Sequence, residues 1–371
     1  MPMLNTVKNF AKKEIVFIIS ALCAVFTMFL VPPSVSYIEY IDFRVLCLLF
    51  SLMAVVAGMK SVGAFRWLTY QLLSRIRNGR VLGVTLVMLP FFASMFITND
   101  VALIVFVPFT LALLYELGCS KSVIPVIVLQ TVAANLGSIA TPVGNPQNLF
   151  LYSAYNLTIG EFMSVVLPLT AVSFAALFVF SLPLLPKALP ESELKKEKIS
   201  SNLHLAAYMI LFAICLLTVL RIIPYQITTA VIILVLIIIN RKLFSQIDYM
   251  LLLTFVCFFI ISENLGQTDS IKVFLRDLLE KNTLLTAVGT SQIISNVPAA
   301  VLLSGFTDNW KSLLQGVNIG GLGTPVASLA SLITLKLYMA DRDAKIFKFL
   351  GVFTLANIIG LAILLLFTFI I

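Results

Sequence analysis

Histidine is almost missing from this 371-residue chain, His204 being the only one, and the five cysteines (Cys23, Cys47, Cys119, Cys215, Cys257) stand singly. That inventory supports neither a metal-ligand cluster nor a disulfide framework. Charge is scarce too, at 11% of residues, with no paired catalytic aspartates and no Ser/His set of the kind an intramembrane enzyme would need. What remains is apolar: 60% of residues are hydrophobic, well beyond the range of soluble domains. Apolar runs recur along the whole length, and in lipid the backbone can satisfy its polar groups only in helices or a closed barrel. Runs this long read as helices. The net charge of +8 does not point to nucleic acid, because the lysines and arginines gather at the ends of the apolar runs, where the positive-inside rule explains them.

Full spans are expected near 15–31, 44–60, 122–152, 162–185, 203–221, 225–240, 247–262, 310–338 and 346–371. The first lacks a small-residue cleavage site and is expected to stay as a helix, not to be removed as a signal peptide. Two shorter helical pairs remain, 81–115 broken at Thr98-Asn99-Asp100 and 284–306 broken at Ser295-Asn296-Val297-Pro298. The arm 284–294 covers only about 17 Å of a hydrocarbon core about 30 Å thick, so it is expected to re-enter. With a cytoplasmic N-terminus, 19 of the 25 Lys and Arg fall inside and six outside, which fixes the orientation and leaves the C-terminus outside. Amphipathic stretches at Phe65–Arg77 and Ser270–Lys281 precede the two pairs and read as interfacial helices. The order of span, interfacial helix, hairpin, broken span and span thus occurs twice, in opposite orientation. The expected fold is an all-α polytopic membrane protein with an inverted structural repeat, two re-entrant hairpins and two broken transmembrane helices. Its parts are residues 1–43, a first repeat 44–185, a cytoplasmic linker 186–202 carrying Glu191, Glu193, Lys195, Lys196 and Lys198, and a second half 203–371.

The chemistry sits in two matched pairs of polar interruptions. Ser94-x-x-x-Thr98-Asn99 parallels Ser291-x-x-x-Ser295-Asn296, each an i, i+4 hydroxyl pair on one helix face followed by an asparagine. Asn135-Leu-Gly137-Ser-Ile-Ala-Thr141-Pro142-Val parallels Asn318-Ile-Gly320-Gly-Leu-Gly-Thr324-Pro325-Val. Glycine and proline at these spacings unwind a helix, and Pro142, Pro146, Pro298 and Pro325 favour the first turn of a new one. Asn145 and Thr324, each before a proline, are good N-caps. Irregular backbone is tolerated at membrane depth only where it lines a cavity or is buried in protein. Freed carbonyls with Ser, Thr and Asn oxygens can hold a small hard cation, and free N–H groups at the starts of half-helices can hold an anion. Asp100, an acid between two apolar arms, is either a coupling carboxylate or a cap for the helix that follows. Glu263 and Asn264 read as a solvated outward helix end, His204 as a boundary residue, and Asn148 as a further lining residue.

These hairpin tips and broken helices resemble the ion transporter superfamily, which includes divalent anion/sodium symporters, citrate transporters and arsenite permeases. The resemblance spans about residues 44–370. It implies that Ser94, Thr98, Asn99, Asn135 and Gly137 hold one Na⁺, and that Ser291, Ser295, Asn296, Asn318 and Gly320 hold a second. By the same resemblance, Asn99, Asp100, Thr141, Asn145, Asn148, Ser295, Asn296, Thr324 and Pro325 face the substrate. It also implies a homodimer and an elevator motion. Where the symporters carry threonine at the third tip position, this chain has Asp100 and Val297, which departs from dicarboxylate recognition. The expectation is a secondary active transporter in the plasma (inner) membrane, coupling Na⁺ or H⁺ to a small anion such as a carboxylate, with no other cofactor. A Na⁺/H⁺ antiporter using Asp100, an arsenite or metalloid efflux permease and a passive channel stay open.

Overall fold

The computed structural model describes residues 14–73, 76, 78–188, 198–339 and 344–370. Among them every regular element is helical, apart from one isolated antiparallel bridge between Asn78 and Ala188. Seven helices among the described residues are long and apolar enough to cross a membrane, and the protein is an all-α, multi-pass membrane protein.

The first half comprises α1 (Ile15–Thr27), α2 (Phe43–Ser61), α3 (Ala64–Leu73), α4 (Gly79–Ala93), α5 (Asn99–Glu116), α6 (Val123–Gly137), α7 (Pro146–Ala154) and α8 (Ile159–Ser181). The second comprises α9 (Asn202–Val219), α10 (Tyr225–Ile239), α11 (Tyr249–Gly266), α12 (Asp269–Ile294), α13 (Asn296–Ser304), α14 (Trp310–Ile319), α15 (Leu329–Met339) and α16 (Ile346–Ile370). Asn282 interrupts α12 with non-helical φ and ψ, and its Oδ1 accepts from Leu285 N. The amphipathic stretch before it and the hairpin arm after it are therefore separate helices. α2 packs against α9 and α10, and α1 against α11; α6 is the hub for α4, α5, α8 and α16. The α2–α9 contact is close because Gly58 gives its space to Tyr208: a Cβ there would stand 2.6 Å from the ring.

Hydrogen bonds between loops define two ends of the molecule. At one, Gly79 N donates to Lys187 O at 3.0 Å, Ser200 N to Val62 O at 3.1 Å, and Ser122 Oγ to Leu184 O at 2.7 Å. At the other, Ser153 Oγ donates to Asp42 Oδ2 at 3.4 Å and Tyr155 OH to Thr307 O at 2.7 Å. Within each half a helix runs beside a hairpin arm in one register. Gly137 of α6 meets Ser94 at the end of α4, and Gly320, next after α14, meets Ser291 of α12.

Several expected boundaries move. The first span stops at Thr27, short of residue 31. α10, by contrast, keeps its expected bounds to within one residue, Asn240 ending it and turning its Oδ1 onto Lys242 N to open a 3-10 turn. The first hairpin bends at 94–98 instead of 98–100, since Asn99 and Asp100 already form the first turn of α5. Thr324 does not cap a helix; Pro325 opens a 3-10 turn, and α15 starts only at Leu329. Pro142 sits in the loop between α6 and α7. Asn264 is fully buried and not solvated, donating to Thr27 Oγ1 at 3.1 Å and Tyr37 OH at 2.9 Å. The centre of the expected linker, 189–197, lies outside the described residues, as do Arg75, Arg77 and Arg342.

Candidate functional site

Each break is held open by residues that have no room for more side chain. At Gly137 an added Cβ would drive into the Phe91 carbonyl and stand 2.7 Å from Ser94 Oγ, so α6 can touch the end of α4 only through glycine. Ser94 Oγ donates to Phe91 O at 3.0 Å. Asn145 caps α7, its Oδ1 accepting from Asn148 N at 2.9 Å, with Pro146 in the first turn. Asn148 points its amide back into the loop, and Nδ2 donates to Ser138 O, Ile139 O and Thr141 O at 3.2–3.3 Å. Asn99 N bonds Gly144 O at 3.2 Å, tying the hairpin tip to the same loop.

The second half repeats the plan with different side chains. Gly320 would place a Cβ 2.8 Å from Ser291 Oγ, and Ser291 Oγ donates to Ala287 O at 2.7 Å. Gln292 plays the part of Asn148: Nε2 donates to Gly320 O and Leu322 O, both at 2.9 Å, and Oε1 accepts from Thr324 N at 2.9 Å. It fills the space beside Gly323, whose φ of +113° only glycine adopts readily. The two Thr-Pro motifs act alike. Thr141 Oγ1 donates to the Met95 carbonyl, and Thr324 Oγ1 to Gln292 O at 3.1 Å, in both cases the residue directly after the hairpin serine. Ser295 turns the second tip at φ +76° and donates to Ala327 O at 3.3 Å.

The halves then interlock. Asn145 Nδ2 reaches across to Asn318 Oδ1 at 3.3 Å, and Ser328 Oγ reaches back to Asn135 Oδ1 at 2.9 Å. Asn145 follows Asn135 by as many positions as Ser328 follows Asn318, so the exchange is reciprocal. Asn318 Nδ2 also donates to Asn148 Oδ1 at 2.7 Å, and Asn99 Nδ2 to Asn135 Oδ1 at 3.0 Å. Asn296 Nδ2 would lie 2.8 Å from a Cβ on Gly321, whose carbonyl is 3.5 Å from Asn135 Nδ2. The two tips therefore meet across Asn135 and Gly321. Asn99, Asn135, Asn145, Asn148, Asn296 and Asn318 are all buried.

A family described as citrate transporter matches residues 9–309, most of the chain and both hairpins. The chain belongs to the citrate transporter family. An uncharacterized transporter of Methanocaldococcus jannaschii is 33% identical over 331 residues, 87% of this chain and 88% of the relative. The inner membrane protein YbiR of Escherichia coli is 29% identical over 305 residues, 81% and 82% of the two chains. A silicon efflux transporter of Oryza sativa subsp. japonica is 36% identical over 128 residues, 34% of this chain and 26% of that one. The protein is accordingly a membrane transporter.

In this citrate transporter family member the buried layer gathers the asparagines together with Ser295, while Ser94 and Ser291 sit against their glycines behind it. Thr324 is exposed and Pro325 half-buried on the outer side of the second break, and Thr98 makes no capping bond. Asp100 is half-buried, one of its carboxylate oxygens is enclosed without a hydrogen-bond partner, and its N–H is taken by Asn99 Oδ1 at 3.0 Å. Gln292, Ser328 and Gln130 are absent from the sequence-derived set. Ser328 was within reach of the repeat extended by two more residues beyond Thr-Pro-Val, and Gln292 is the one amide on its hairpin arm, directly after Ser291. Gln130 Nε2 binds Leu86 O and Thr110 Oγ1, both at 2.8 Å, joining α4, α5 and α6. Chemically the layer offers amide donors, carbonyls and hydroxyls, and no lysine or arginine bonds to it among the described residues.

Proposed function

We propose that this protein is a secondary active transporter that couples Na⁺ or H⁺ to the movement of a small anion, a carboxylate being the leading class. Its site lies between the tips at Asn99 and Asn296. The observation that carries the reading is the reciprocal bonding of the two broken helices through Asn145–Asn318 and Ser328–Asn135. Two oppositely oriented repeats that share one buried polar layer give a carrier a single site that either side of the membrane can reach. In this reading both hairpins re-enter, the N-terminus is cytoplasmic, the protein is an inner-membrane homodimer, and the hairpins with α6–α8 and α14–α16 move as a block past α1, α2 and α9–α11. The coupling cation is bound by Ser94, Thr98 and Asn99 near Gly137, and by Ser291, Ser295 and Asn296 near Gly320. The anion meets Asn99, Asn148, Asn296 and the start of α13.

A second reading is efflux of a neutral hydroxylated solute such as arsenite or a related metalloid acid. The absence of a basic group in the layer favours it, as does the similarity to a protein named a silicon efflux transporter. A third, cation/proton exchange, draws on the unpartnered oxygen of Asp100. Purified protein in liposomes separates them. Labelled carboxylates taken up only with an inward Na⁺ or H⁺ gradient support the first reading. Gradient-driven arsenite flux without carboxylate flux replaces it with the second, cation-driven pH change without any solute with the third, and flux indifferent to every gradient overturns all carrier readings. Asp100→Asn is expected to abolish coupling; unchanged transport with unchanged ion dependence removes Asp100 from the mechanism.

A further inference from the structure

Away from the asparagine layer, an apolar groove of about 200 Å³ runs between α6, α8 and α16. Its walls include Val128, Val132 and Leu136 of α6, Leu177 of α8 and Ile359 of α16, and the one hydroxyl in its lining is Ser173. Along α6 the lining extends from Pro125 to Leu136 and along α16 from Val352 to Leu364, about 17 Å of helix. Half of a hydrocarbon core about 30 Å thick is close to that length, so the groove is one leaflet deep.

The lining residues Pro125 and Phe180 lie near the end where Ser122 bonds Leu184, the end that the positive-inside rule assigns to the cytoplasm. Two lysines lie one turn beyond this end of the lining. Lys121 precedes Pro125 by one turn, and Lys348 precedes Val352 by one turn on the same face of α16; both are exposed, and neither pairs with a carboxylate among the described residues. A leaflet-deep apolar slot with two exposed cations, unpaired among the described residues, at the headgroup level complements a single chemistry, an acyl chain ending in an anionic phosphate.

We propose that this groove binds an anionic phospholipid of the cytoplasmic leaflet, one acyl chain between α6, α8 and α16 and its phosphate against Lys121 and Lys348. The bound chain would also touch both breaks. Leu136 adjoins Gly137, and a Cβ on Gly360, in the opposite wall, would lie 3.1 Å from Leu322 Cδ1 in the second break. Lipid in the groove braces the walls behind the transport site. The proposal rests on the assigned orientation and is independent of which solute is carried.

Native mass spectrometry of the delipidated full-length protein, titrated with phosphatidylglycerol or phosphatidylcholine of identical acyl chains, tests it without reference to transport. Wild type is expected to retain phosphatidylglycerol preferentially. Lys121→Ala with Lys348→Ala should weaken that binding about 30-fold while leaving phosphatidylcholine unchanged, on the basis of the usual attraction of a surface lysine to anionic lipid. Ala176→Phe, which fills the groove, should lower retention of both lipids. Equal retention of the two lipids by wild type, or phosphatidylglycerol binding unaltered in the lysine variant, overturns the proposal. If Ala176→Phe instead splits a dimer with lipid binding intact, the groove belongs to a second copy of this chain and the proposal fails. Should that variant not fold, the exposed lysine pair still decides.

Discussion

Asn135 accepts from Asn99 Nδ2 and Ser328 Oγ on one oxygen and offers its amide to Gly321 O, one partner on α5 and two in the second break. Removing a side chain in that position strands each partner without water, at about 1–3 kcal/mol per buried group. Asn135→Ala is therefore expected to lower the melting temperature clearly and to cut transport at least about tenfold, on the same estimate applied to one stranded group. A thermal-shift measurement beside an uptake assay checks both, and a variant as stable and active as wild type would show that the layer is passive packing. Backbone approach gives a sharper contrast. Gly137→Ala pushes a methyl into the Phe91 carbonyl, whereas a Cβ on Gly351 meets nothing within 4 Å. The first should fold poorly or not at all. The second should match wild type, or gain slightly from better helix propensity.

Gln292 links an element that has lost its helical hydrogen bonds to one that has kept them. Its amide takes Gly320 O and Leu322 O and its oxygen takes Thr324 N, so one side chain fastens the second break at three backbone atoms. Gln292→Ala should leave the hairpin folded but release the break. The expected signature is faster hydrogen–deuterium exchange confined to residues 318–328, with transport reduced; unaltered exchange there would mean that the loop holds itself. Much at this scale was legible from residue order alone. The paired Asn-x-Gly and Thr-Pro motifs located both breaks, and the hydroxyl pairs marked both tips, although the first bend falls between Ser94 and Thr98 and ahead of the asparagine, because glycine, proline and asparagine act on the nearest few residues. What stayed hidden depends on partners distant in sequence. Nothing local says that Thr324 bonds a hairpin carbonyl instead of capping a helix, or that Asn264 is buried against Tyr37. Ser328 was missed because a serine replaces the asparagine of the first half while keeping its bond.

At the scale of the whole molecule, the proposed elevator motion requires the second hairpin to slide past α11, and the two touch at one tractable place. Ser262 of α11 donates to Val301 O at 3.2 Å and Leu302 O at 3.3 Å, and a Cβ on Gly305 would lie 3.2 Å from Ser262 Oγ. Cysteines at 262 and 305 would thus stand near the Cβ separation of about 3.5–4.5 Å that a disulfide needs. The five native cysteines are spread over α1, α2, the turn before α6, α9 and α11, so they should be replaced first. A rigid scaffold with a moving block then makes a definite demand. Oxidation of Ser262→Cys with Gly305→Cys must halt uptake, reductant must restore it, and either single variant must transport in both conditions. A fixed-barrier carrier, in which the hairpin tips open locally while α11 and α13 stay in contact, makes the opposite one: the cross-linked protein keeps turning over. The distinction survives a partial cross-link, because the lost fraction of uptake should equal the fraction of disulfide measured on the same sample.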